Sequence, residues 1–192
     1  GRFFTVLAAL DTASAFEGMG GAREVFFAAI AEPVLFIALI AVARLTGSWS
    51  LEEMTFAVPN LPEPMALVIL AMVGGTLFVV LLTENSRIPV DDPNTHLELT
   101  MIHEVMVLDH SGPEFGLITY ASTLKMWLFS ALLVGTVMPW RFADTWLNVL
   151  VWAAAMVVAV GAVGVVESTM GRLRLLQVPK FLIGAGALSI TA

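Results

Sequence analysis

TWLNVLVWAAAMVVAVGAVGVV, residues 145–166, contains no charged side chain. A helix needs about 20 mostly apolar residues to cross the hydrocarbon core of a bilayer, so this stretch is long enough to span one. Three more segments qualify on the same test, roughly 25–45, 64–83 and 117–138. The whole chain agrees, being 58% hydrophobic and 13% charged, with a mean hydropathy of +0.89. Soluble domains carry about a quarter charged residues. The fold class read from this pattern is all-α, a polytopic transmembrane protein with four complete spanning helices.

Two further apolar runs touch the termini, RFFTVLAAL (2–10) and FLIGAGALSITA (181–192). Each is too short to span, and a half-inserted segment is costly in lipid. Both are therefore expected to be truncated helices of a longer protein, and residues 1–192 to form part of one membrane domain. The first run has neither the basic start nor the small-residue cleavage site of a signal peptide.

The chain has no cysteine. Thiolate-ligated iron–sulfur clusters, zinc–thiolate sites and disulfides are thereby excluded, and electrons in any redox chemistry must travel on another subunit. The net charge of −7 argues against a nucleic-acid partner. Basic residues alternate between loops: Arg23, Arg87, Arg172, Arg174 and Lys180 fall in one set, Arg44 and Arg141 in the other. The positive-inside rule puts the first set in the cytoplasm. Residues 84–115 then form a long cytoplasmic loop holding seven of the 16 acids, Glu84, Asp91, Asp92, Glu98, Glu104, Asp109 and Glu114, against one arginine.

All three histidines, His96, His103 and His110, lie in that loop seven residues apart. An amphipathic helix fits here, with Thr95 as N-cap, Glu98 in the capping-box position and Gly112-Pro113 as the stop. The histidines would form one stripe of it, about 10 Å apart at 1.5 Å per residue. Zinc–nitrogen bonds are about 2 Å, so they cannot share an ion, and no metal site is assigned. They are read as surface groups or contacts to a partner protein. On the same wheel Glu98 and Asp109 fall within the apolar sector made by Leu97, Met101, Ile102, Val105, Met106 and Leu108, with the histidines at its margin. Burial of a carboxyl group favours its protonated form, which suits a proton relay. The plainer alternative is that each acid pairs with an arginine such as Arg87, Arg172 or Arg174, and the two roles can coexist.

Charges also fall inside spanning segments. Glu32 lies about a third of the way along VFFAAIAEPVLFIALIAVARL (25–45), followed by Pro33. An intramembrane acid costs a few kcal/mol on insertion scales and faces protein or water, so a functional role is expected. Lys125 sits about two turns into its segment, where snorkelling to the interface is the simpler reading and pairing with an acid the other. Glu84 and Glu167 occupy helix ends, where ordinary solvation suffices. Trp140 and Trp146 sit where interfacial anchors belong, with Trp152 deeper.

ENSRIPVDDPNTHLELTMIHE (84–104), followed by Ser111-Gly112, resembles the signature of the membrane subunits of group 4 nickel–iron hydrogenases and formate hydrogenlyase, which are similar to subunit 1 of respiratory complex I. The flanks, residues 2–33 and 167–181, resemble the same family less specifically. The resemblance implies that this chain lacks the family's first two helices and most of the third. It also implies a subunit with no cofactor and no catalytic residue of its own. Such a subunit anchors a peripheral arm, whose large and small subunits hold the nickel–iron centre and the iron–sulfur clusters, and meets antiporter-like membrane subunits in the prokaryotic cytoplasmic membrane. The complex I pattern E-x-x-R-x-P-x-D-x-P matches Glu84, Arg87, Pro89, Asp91 and Pro93; a following glutamate matches Glu98, and Arg23 and Glu32 match charges beside the quinone cavity. Asn94 and His96 stand where complex I is acidic. That departure weighs against a quinone partner and toward the hydrogenase branch.

The reading that follows is a non-catalytic anchoring and proton-coupling subunit. Its path would run through Glu32, Glu84, Asp91, Asp92, Glu98, Glu104 and Asp109, with Arg23, Arg87, Lys125, Arg172 and Arg174 as charge partners. A quinone-site subunit and a purely structural anchor are the alternatives, and a free-standing transporter is a weaker one.

Overall fold

The computed structural model describes residues 2–57, 65–91, 102–138, 142–171, 173 and 177–191. Its helices are α1 (Arg2–Asp11), α2 (Ala15–Thr46), α3 (Leu51–Ala57), α4 (Met65–Glu84), α5 (Gly112–Val137), α6 (Thr145–Thr169) and α7 (Val178–Thr191). No strand occurs among the described residues. Four of these helices, α2, α4, α5 and α6, are long and apolar enough to cross a membrane, while α7 is apolar but shorter. The chain is an all-α polytopic membrane protein, as the hydropathy pattern indicates.

α4 is the centre. Over half of its spanning window (56%) is buried, against 11% for those of α5 and α6. It packs against α2, α5 and α7. Lipid tails are as apolar as leucine, so association within the bilayer relies on close packing of small residues and on hydrogen bonds between helices. Both devices are present. Ala31 and Ala38 of α2 are fully buried, and a Cβ added at Gly186 of α7 would sit 3.1 Å from Val34 Cγ2. Thr76 Oγ1 of α4 reaches the Ala185 carbonyl of α7 at 2.9 Å. α5 and α6 pair through Val134, Met156 and Ala159, and their outer faces carry exposed Leu117, Leu128, Val157 and Val158.

α2 begins ten residues before the spanning segment expected at 25–45. Its 32 residues make a rod about 48 Å long at 1.5 Å per residue, well beyond the ~30 Å hydrocarbon core. Glu17 and Glu24 make the first turns look like a loop, yet both are buried. They stand seven apart on one face, with Gly20 and Gly21 between them. The helix ends at Gly47, whose φ of 71° suits glycine and whose N–H donates to the Ala43 carbonyl at 2.8 Å. Pro33 is carried inside the helix.

α4 and α5 are joined by residues 85–111. The corner after α4 has a cis Ile88–Pro89 bond and Ser86 at φ 49°. Across the face that carries this loop, the Leu173 N–H donates to the Pro89 carbonyl at 2.8 Å. The α-helix expected through the histidines does not continue here. Within 102–110 the chain makes one short 3-10 helix, Glu104–Val107, flanked by turns. The physical cause is local: two buried carboxylates take up backbone N–H groups of this stretch, and Ile102, Val105, Met106 and Val107 all turn inward. The expected first half of that helix, with His96 and Glu98, lies outside the described residues, as do Asp92, Arg172, Arg174, Trp140 and Arg141.

Candidate functional site

Three helices bring charge to one point. Glu24 comes from α2, Glu84 is the last residue of α4, and Lys125 lies in α5. Lys125 Nζ is 3.2 Å from Glu84 Oε2 and 3.7 Å from Glu24 Oε1. The Ser86 hydroxyl donates to Glu24 Oε2 at 3.4 Å. Both carboxylates are buried, so Lys125 is paired with acids and Glu84 is not simply solvated. The reason is the corner after α4, which folds Asn85 and Ser86 back over the helix end and closes Glu84 off. One ammonium group between two carboxylates leaves the fully ionised cluster at −1.

The cluster opens onto a cavity of roughly 380 Å³, which Thr5, Glu32 and His103 also line. Glu32 is exposed on the surface of α2, and the cavity places it with Glu24, Glu84 and Lys125. A second cavity of roughly 240 Å³ adjoins on the loop side, lined by Arg87, Asp91, His103 and Glu104 among others. Asn85, Ser86, His103, Ile118 and Ser122 line both. Ionisable groups of the loop and of α2, α4 and α5 thus share the lining of the two cavities.

The loop acids divide by role. Asp91 is 1% exposed, and its Oδ2 accepts the N–H groups of Ile102 at 2.9 Å and His103 at 3.1 Å. It thereby fixes the backbone immediately before the 3-10 turn Glu104–Val107. Glu104 is half-buried beside the second cavity. Asp109 is exposed rather than buried, because the 100° wheel of an α-helix does not hold through a 3-10 turn of about 120° per residue. Its backbone N–H instead donates to Glu17 Oε1 at 2.9 Å.

Glu17 is fully buried. The Thr12 hydroxyl donates to its other oxygen, and His110 Nδ1 lies 3.8 Å from Oε1. Glu17 therefore ties the end of the loop to the α1–α2 corner. Arg87 pairs with Glu167 of α6 at 3.3 Å. Arg23 is half-buried on α2. Among the described residues no group of three His, Asp or Glu side chains is placed to hold a metal ion.

Glu17, Glu24, Ser86 and His103 were not among the expected site residues. The signal for the first two was present in the sequence. Acids seven apart with a glycine pair between them mark a helix face that something approaches closely.

A profile of the NADH dehydrogenase family matches residues 1–190. Formate hydrogenlyase subunit 4 of Escherichia coli K12 is 27% identical over 185 residues, covering 93% of this chain and 59% of that protein. Hydrogenase-4 component C of the same organism is 30% identical over 146 residues, covering 74% of this chain and 44% of that protein. The chain thus spans about half the length of the curated relatives it matches.

Proposed function

Because this chain belongs to the NADH dehydrogenase family, whose profile matches residues 1–190, we propose that it anchors and couples protons in a multi-subunit, hydrogenase-type oxidoreductase. In this reading it sits in the prokaryotic cytoplasmic membrane with residues 84–115 on the cytoplasmic side. Its partners are the large and small hydrogenase subunits, which carry the nickel–iron centre and the iron–sulfur clusters, and antiporter-like membrane subunits.

The observation that carries the reading is Lys125 held between Glu24 and Glu84 on a cavity that also meets Glu32. Electron transfer in the peripheral arm moves the 85–111 loop. Asp91 and Glu17 grip that loop through its backbone, so its movement is transmitted to the α4 corner and changes the spacing of Glu84 and Lys125. A proton taken up on the loop side, among Asp91, Asp92, Glu98 and Glu104, passes to the cluster and on to Glu32. Glutamine at Glu84 or at Glu32 should leave hydrogen turnover running without proton movement. A purely structural anchor predicts the reverse, lost assembly with coupling intact in whatever complex survives.

A quinone-site role is the second reading, favoured by one observation. The ~380 Å³ cavity is within the 300–1,000 Å³ typical of small-molecule sites, about right for a ring-sized headgroup. A photoreactive quinone that labels this chain within the native complex supports it, and labelling confined to other subunits counts against it.

A further inference from the structure

Among the described residues, Asn85, Ser86, His103, Ile118 and Ser122 line both cavities, and of these His103 alone has an ionisable side chain. We propose that His103 carries protons between the loop-side cavity and the Glu24–Lys125–Glu84 cluster, an inference that rests on the coupling role assigned above. Amide and hydroxyl groups at the seam can extend a hydrogen-bonded chain, but they do not hold an extra proton near neutral pH. Imidazole does, and its two nitrogens let it accept on one side and donate on the other.

The backbone keeps His103 at the seam. Its N–H is bonded to buried Asp91 Oδ2 at 3.1 Å, and its carbonyl accepts the Met106 N–H at 3.1 Å. Val105, Met106 and Val107, which follow, are buried, while His103 itself is half-buried. Among the described residues, the charged and titratable groups sharing the cavities with it are Arg87, Asp91 and Glu104 in one and Glu24, Glu32, Glu84 and Lys125 in the other.

The step conserves atoms and charge. A protonated Glu104 gives its proton to one ring nitrogen and becomes a carboxylate, and the ring becomes imidazolium. The other ring nitrogen then releases its proton to the Glu84 carboxylate. The ring is left neutral as the opposite tautomer, one proton has moved, and no electron is transferred.

The test measures proton movement per hydrogen molecule turned over by the native complex in sealed vesicles, for His103→Gln, His103→Glu and Glu84→Gln. His103→Gln keeps hydrogen-bonding capacity but has no proton it can gain and release near neutral pH, and should lower the ratio at least ~10-fold, a threshold below the roughly 10²–10⁴-fold that a positioned proton-transfer group contributes to a rate. His103→Glu restores a titrating group and should recover much of the ratio, with an altered pH profile. A His103→Gln complex coupled like the parent, beside an uncoupled Glu84→Gln, overturns this inference and leaves the coupling role standing. Loss of coupling in both His103 variants makes the residue a positioning element and overturns the carrier assignment. Full coupling in Glu84→Gln defeats the underlying role and this inference with it.

Discussion

At Lys125 one ammonium group faces two buried carboxylates, so the effect of a substitution depends on which partner is removed. Lys125→Met leaves two carboxylates close together without their cation. Breaking such a pair costs about 3–5 kcal/mol where burial is strong, and thermal unfolding of the purified complex in detergent should register a large loss. Adding Glu84→Gln removes one of the stranded charges. The double variant should therefore be more stable than Lys125→Met alone, by an interaction of about 1 kcal/mol or more; simple additivity would show that the two side chains do not sense each other. Glu84, Glu32 and Lys125 were marked in the sequence, because charge in an apolar chain stands out. Glu24, and which acid Lys125 would meet, were not. Glu84 at a helix end and Lys125 two turns into a segment both admit solvation or snorkelling, and only the fold of the Asn85–Ser86 corner decides against it. Glu17 lies outside the acids marked in the sequence, and only the loop resting on it reveals its role.

The 102–110 stretch and the first turns of α2 act together as one docking element. Gly20 is where they meet most closely: a Cβ there would lie 3.0 Å from the Ile102 carbonyl oxygen and 3.0 Å from Met106 Cγ, and would overlap Val105 Cγ1. Gly20→Ala would gain helix propensity in isolation. Here it should destabilise by about 1–3 kcal/mol through overpacking, read as faster proteolysis or a lower melting temperature. An unchanged protein would mean that the loop does not rest on α2. Asp91→Asn tests the other anchor. The amide keeps the size of the side chain but loses the charge that strengthens two backbone hydrogen bonds. Loss of about 1.5–3 kcal/mol from bonds to a charged group should speed hydrogen exchange at the Ile102 and His103 amides some 10- to 100-fold. Unchanged exchange would contradict the anchoring of this stretch by Asp91. Sequence periodicity marked this stretch as half-apolar and correctly put Val105 and Met106 inward. It could not mark where the backbone bonds go, and a 3.6-residue wheel applied to a 3-10 turn pointed Asp109 inward when the chain points it out.

For the molecule as a whole, hydropathy was enough to find four spans, because an uninterrupted apolar run of bilayer length has few other stable uses. It left open which helix is central, since α4 and α6 are comparably apolar. Packing separates them: α4 is enclosed by α2, α5 and α7, while α5 and α6 turn most of their surface outward. That arrangement puts the lysine–carboxylate cluster at the end of the central helix from which residues 85–111 continue. The most direct measurement is proton movement per hydrogen molecule turned over, made on the native complex reconstituted in sealed vesicles with Glu84→Gln. The predicted result is a complex that still assembles and still turns over hydrogen while proton movement collapses. A Glu84→Gln complex that moves protons at the parental ratio would contradict the account.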